Sequence, residues 1–128
     1  MLLKDFYKVQ SLDKATDQKY LAVILINEKH EIFKGHFPGN PIMPGVCMMQ
    51  IIKELTEEIT ESSLIMQSLS NVKFMALINP KVTPELQIEL DITVNDDQTI
   101  KVKNTTTFNE TVALKLGSVY KKIWLWKR

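Results

Sequence analysis

With 128 residues, 45% of them hydrophobic and 24% charged, the chain has the size and balance of one ordinary folded domain, able to bury a core without disulfides or metal. Sixteen Lys and Arg against fifteen Asp and Glu leave a formal charge of +1, which excludes the overall basic field of a nucleic-acid binder. Cys47 is the one cysteine, so an intramolecular disulfide framework and a multi-cysteine zinc site are excluded.

The N-terminal MLLKDFYK turns polar too soon for a signal peptide. The longest aliphatic run, LAVILI at 21–26, is far short of the roughly 20 residues of a spanning helix. The expectation is a cytoplasmic protein with no membrane span, folded as a single domain over 1–128. DFYKVQ and KYLAVILIN have the aliphatic and aromatic content of two strands, separated by the polar SLDKATDQ. After a proline- and glycine-rich segment, Met48, Ile52, Leu55 and Ile59 recur at spacings of three and four from Val46 to about Glu61. Gln50, Glu54, Glu57, Glu58 and Glu61 gather opposite them, so this is an amphipathic helix with a polar face. Strand-like material returns in LIMQSLSNVKFMAL, ELQIELDITV, TIKVKNTTTF and TVALKLGSVYKKIWLW, with NPKVTP, NDDQ and Asn109-Glu110 as connections. The order predicts an α+β domain in which a lone helix packs against a curved antiparallel sheet of about six strands.

The segment between the second strand and the helix, GHFPGNPIMPGVCMMQ, holds three of the four glycines and three of the five prolines. Glycine permits close backbone approach and positive φ, and proline fixes φ and extends the residue before it, so the alternation predicts a stiff, irregular loop around His36. Histidine moves protons near neutral pH. Free N–H groups at a helix start near Gly45 and Val46 can receive a carbonyl oxygen that gains negative charge. Together they suit removal of a proton next to a thioester carbonyl. Read from composition alone, a single histidine in such a loop is more often structural than catalytic, His30 in NEKHE is a surface turn residue, and Cys47 a small buried hydrophobe. No second histidine stands at ligand spacing, so no metal site is expected.

GHFPGNPIMPGV closely resembles the active-site segment of the bacterial 3-hydroxyacyl-acyl-carrier-protein dehydratases of fatty-acid synthesis, which have the hotdog fold. VKFMALINPKVTPELQIEL is similar to the strand, loop and strand that follow the family's helix. The resemblance implies an antiparallel sheet wrapped around one long helix, and a dimer with sites at its interface. It implies His36 as the general base that removes the C2 proton of a 3-hydroxyacyl thioester. Gly45 would bind the thioester carbonyl through its N–H, beside Val46, the carbonyl of Ile42 would orient the histidine, and Phe37 would lie by the acyl chain. No cofactor is implied, the substrate being carried on the phosphopantetheine of an acyl-carrier protein.

The family's second catalytic residue is a carboxylic acid fourteen positions after the histidine, and here that position is Gln50. Glutamine can hold a hydroxyl or a water but cannot deliver and recover a proton at neutral pH. Three readings follow: a dehydratase or hydratase in which another acid, with Glu54 one turn on as the candidate, takes over; a homodimeric or heteromeric accessory subunit that binds acyl chains; and a thioesterase-like protein in which His36 or Gln50 positions water. Lys73, Lys81, Lys101, Lys103, Lys121 and Lys122 are candidates for a basic patch facing an acidic carrier. Trp124 and Trp126, at alternate positions, would share one face of the last strand and pack on the helix or a dimer partner, with a membrane-surface anchor as the alternative.

Overall fold

A computed structural model describes residues 5–34 and 41–125. Six strands and one long helix run in the order β1 (Tyr7–Lys14), β2 (Lys19–Ile26), a 3₁₀ turn (Glu31–Lys34), α1 (Gly45–Thr60), β3 (Ser62–Phe74), β4 (Glu85–Val94), β5 (Thr99–Phe108) and β6 (Thr111–Leu125). The strands form one antiparallel sheet in the spatial order β1-β2-β4-β5-β6-β3. This is the expected α+β hotdog arrangement. Strict alternation drives the central strands: Leu86, Ile88, Leu90 and Ile92 of β4 and Ile100 and Val102 of β5 are buried, with charged or polar residues between them.

Helix α1 lies on the concave side and buries Cys47, Met48, Ile51, Ile52, Leu55 and Thr56. The stripe is wider than the expected Met48, Ile52, Leu55 and Ile59, because a sheet that curves around a helix covers more than one seam. Its opposite side is also less solvated than expected: Gln50, Glu54 and Glu57 are half-buried, and only Glu58 and Glu61 are exposed. Pro44, at φ −66° and ψ 140°, precedes the first turn, and Glu61, at φ 52°, closes the last by donating its N–H to the Glu57 carbonyl.

Strand β1 continues through Ser11 to Lys14, residues expected to separate two strands, with a register shift between Val9 and Ser11. At a sheet edge one side of a strand faces water, so the polar content of SLDK does not end it. His30 is half-buried rather than a surface turn residue: its Nδ1 accepts the Ile32 N–H at 3.1 Å, and its ring meets Phe6 edge-on at 5.1 Å.

The two-residue turn between β5 and β6 places Asn109 at φ 46° and Glu110 at φ 65°. Two positive φ values match the twist of a hairpin, but a side chain pays about 1–2 kcal/mol to adopt one, and glycine does not. Glu110→Gly is therefore expected to stabilise the protein by about 0.5–1 kcal/mol after the added unfolded-state freedom of glycine is deducted. Urea unfolding followed by circular dichroism would register this as a higher midpoint at unchanged slope.

Candidate functional site

Two hydrogen bonds position the entry to α1. The Met43 N–H donates to the Ile78 carbonyl at 2.8 Å, which ties the segment before the helix to the β3–β4 connection. Asn79 then turns that connection, its side chain accepting the Lys81 N–H at 2.9 Å and its carbonyl the Thr83 N–H at 2.8 Å. Cys47 and Met48 donate their N–H groups to the Pro44 carbonyl. The N–H groups of Gly45 and Val46 are those a helix start leaves without an intrahelical acceptor.

Beside them lies an apolar cavity of about 380 Å³ lined by Met43, Gly45, Met48, Phe74, Leu77 and Leu114, among others. That is within the range of small-molecule sites, and methionine and phenylalanine suit an unbranched apolar guest. Gly45 is needed for close approach: a Cβ there would lie 2.8 Å from Cζ of Phe74. Sequence reading missed Met43, Met48, Phe74 and Leu77. The signal was present in FMAL, an unbroken apolar run at the end of the strand-like segment LIMQSLSNVKFMAL.

Of the expected site residues, Gly45 lines the cavity and Gln50 lies farther along the same helix; Ile42 is half-buried at the helix entry and Val46 is exposed. His36, Phe37 and Trp126 lie outside the described residues, as does the side chain of Trp124. Gln50 and Glu54 meet directly. Gln50 donates through Nε2 to Oε2 of Glu54 at 2.8 Å, and the Tyr7 hydroxyl donates to Oε1 of the same carboxylate at 2.8 Å. Burial first, then the bond to Glu54 and the charges of Glu54, Glu58 and Glu57, push the Tyr7 hydroxyl well above its ordinary range, so it remains a donor. Cys47 is buried, and burial pushes its thiol up, which fits the expected small hydrophobe rather than a reactive thiolate.

Among the candidate lysines, Lys73, Lys101 and Lys103 gather with Lys115 around a groove of about 310 Å³ on β3, β5 and β6, over Gly117. Lys73 stands directly opposite Lys115. Lys81 lies apart, beside Pro80 and Pro84. Among the described residues no group of His, Cys, Asp and Glu is placed to hold a metal ion, and no helix is long and apolar enough to cross a membrane.

A six-stranded antiparallel sheet around one helix, with an apolar cavity at the helix start, is a hotdog domain. Residues 12–113 match the ApeI-like family model, described as ApeI dehydratase, and the chain belongs to that family. It is also similar to the 3-hydroxyacyl-acyl-carrier-protein dehydratases FabZ of Hydrogenobaculum sp., 33% identical over 99 residues (70% of this chain, 64% of that protein), and Caulobacter sp., 25% identical over 120 residues (84% and 72%). Against the FabZ of Pediococcus pentosaceus, 31% identical over 74 residues, the match takes 52% of this chain and spans about half of that protein, 48%. Among solved structures, the dehydratase heterocomplex ApeI:P from Xenorhabdus doucetiae superposes with a TM-score of 0.64 at 15% identity, over 88% of this chain and 96% of that one. The thioesterase yhdA from Lactococcus lactis, described as putative, superposes with a TM-score of 0.69 at 11% identity, over 100% and 99%.

Proposed function

We propose that the protein acts on 3-hydroxyacyl or 2-enoyl thioesters presented by an acyl-carrier protein, with His36 as the base that takes the C2 proton. The observation that carries this reading is the coincidence of GHFPGNPIMPGV with a helix start at which Gly45 lines an apolar cavity. The acyl chain would occupy the cavity, the thioester oxygen would accept from the Gly45 N–H, and developing negative charge would be stabilised by that bond and the helix dipole. Ile42 would orient His36, with Phe37 and Val46 beside the substrate, and the phosphopantetheine arm belongs to the carrier, so no cofactor of the protein's own is required. The lysine groove on the outer face of β3 and β6, the strands that line the cavity, suits an acidic carrier. The edge strand β3, with Ile65, Leu69 and Val72 exposed, suits pairing with a second hotdog chain, identical or not.

Gln50 favours a second reading, an acyl-binding or thioester-hydrolysing protein of the same fold, because the family acid is absent. One assay separates the two. Purified protein is incubated with 3-hydroxyacyl and trans-2-enoyl thioesters, and interconversion is followed at the enoyl absorbance while free thiol is titrated. Interconversion that falls by about 10²-fold or more in His36→Ala supports the first reading; thiol release without interconversion supports hydrolysis; binding without either leaves an accessory subunit.

A further inference from the structure

Glu54 has both carboxylate oxygens occupied by donors from opposite directions, Tyr7 of β1 and Gln50 of its own helix. A carboxylate is an acceptor only, so the Gln50 amide must turn its nitrogen toward it; a planar amide so held directs its carbonyl oxygen away. Tyr7 fixes the other end of the chain from 47 residues away in sequence. Its partly buried hydroxyl cannot rotate to another acceptor without leaving the Glu54 oxygen to the half-open cleft lined by Tyr7, Val9, Leu12, Glu54, Glu57 and Glu58.

We propose that Tyr7 and Glu54 are positioning residues that lock Gln50 as a hydrogen-bond acceptor, so that this position selects thioesters carrying an O–H donor at C3. The inference rests on the reading of the site given above. An acceptor there rewards a 3-hydroxyl, or a water held at the same place, and offers nothing to a saturated acyl chain. Glu54 accordingly serves as an anchor and not as a substitute acid, since each of its two oxygens is already engaged by one of these donors. In Glu54→Gln the neighbour gains donors of its own, and the amide of Gln50 is released to either orientation.

The test compares dissociation constants for a 3-hydroxyacyl thioester and the saturated thioester of equal chain length, by calorimetry, in wild type, Glu54→Gln and Tyr7→Phe. Wild type is expected to prefer the hydroxylated ligand by about threefold to tenfold, the worth of one hydrogen bond. Glu54→Gln should abolish that preference while leaving the affinity for the saturated ligand unchanged, a change that general loosening would not produce. Tyr7→Phe, which removes only a hydroxyl, should reduce the preference partway and serves as the deciding variant if Glu54→Gln does not fold. A wild-type preference that survives both substitutions overturns the proposal, as does a wild type that binds both thioesters equally while still turning substrate over. Failure to bind either thioester overturns the underlying reading of the site.

Discussion

Gln50→Glu is expected to raise interconversion of 3-hydroxyacyl and enoyl thioesters by about 10²- to 10⁴-fold, the usual worth of a positioned general acid or base. The surroundings make the introduced carboxyl more than a simple restoration. The Gln50 nitrogen lies 2.8 Å from a Glu54 oxygen, so the substitution brings two carboxyl groups together where one neutral amide met one anion. Like charges at that distance cannot both ionise; the pair shares a proton, and one of its two apparent pKa values rises. A shared proton on the dyad is the donor that a leaving hydroxyl needs. On the alkaline side the rate should fall as pH climbs through the raised value, because the protonated form of the dyad is the active one, while the acidic limb belongs to the base His36. In the double variant Gln50→Glu, Glu54→Gln the neighbouring charge is gone, the acid ionises at lower pH, and the falling limb moves down. The pH dependence of kcat/KM over both variants checks the sign. An unchanged rate in Gln50→Glu, with His36-dependent turnover intact, would place the reacting hydroxyl elsewhere.

Ile51→Ala should cost about 2–5 kcal/mol of stability, against the roughly 5–15 kcal/mol that holds a domain of this kind together. Ile51 is fully buried on the one long helix the sheet wraps. The chain has no second α-helix among its described elements to close over the gap, so the lost contacts are not remade. Ile51→Val, which removes a single methylene, should cost about 0.5–1.5 kcal/mol. Glu58→Ala on the exposed side of the same helix should stay within about 0.5 kcal/mol. Urea midpoints for the three variants give the ranking directly, and equal losses in Ile51→Ala and Glu58→Ala would contradict the central placement of α1.

Much of the fold was legible because its signals are local. Alternation marks β4 and β5 residue by residue, and the spacing of Met48, Ile52 and Leu55 marks the helix. The errors arose where neighbours in space decide. A polar helix face was expected, yet Glu57 is drawn inward to accept the Leu64 N–H at 2.9 Å and Glu54 to accept from Tyr7. Nothing in the sequence near position 54 announces a tyrosine 47 residues earlier. Likewise the polar SLDK reads as a break until β2 is seen to supply its hydrogen bonds. The candidate site divides in the same way: the glycine and proline segment and the helix start stand out as residues, whereas the cavity beside them is assembled from Phe74, Leu77 and Leu114, which no spacing rule connects.

The two borders of the sheet are unlike. β3 offers exposed Ile65, Leu69 and Val72, while β1 carries Lys8, Asp13 and Lys14 along its length and Val9 as its one exposed aliphatic residue; register shifts occur on both borders, one in β1 and three in β3. Edge-to-edge growth of a sheet needs two receptive borders, one to join and one to extend. A pair joined β3 to β3 about a two-fold axis would spend the receptive border of each subunit and turn only the blunted ones outward. Assembly of such a pair along this direction would then stop at two, because only the charged borders would be left to extend the sheet.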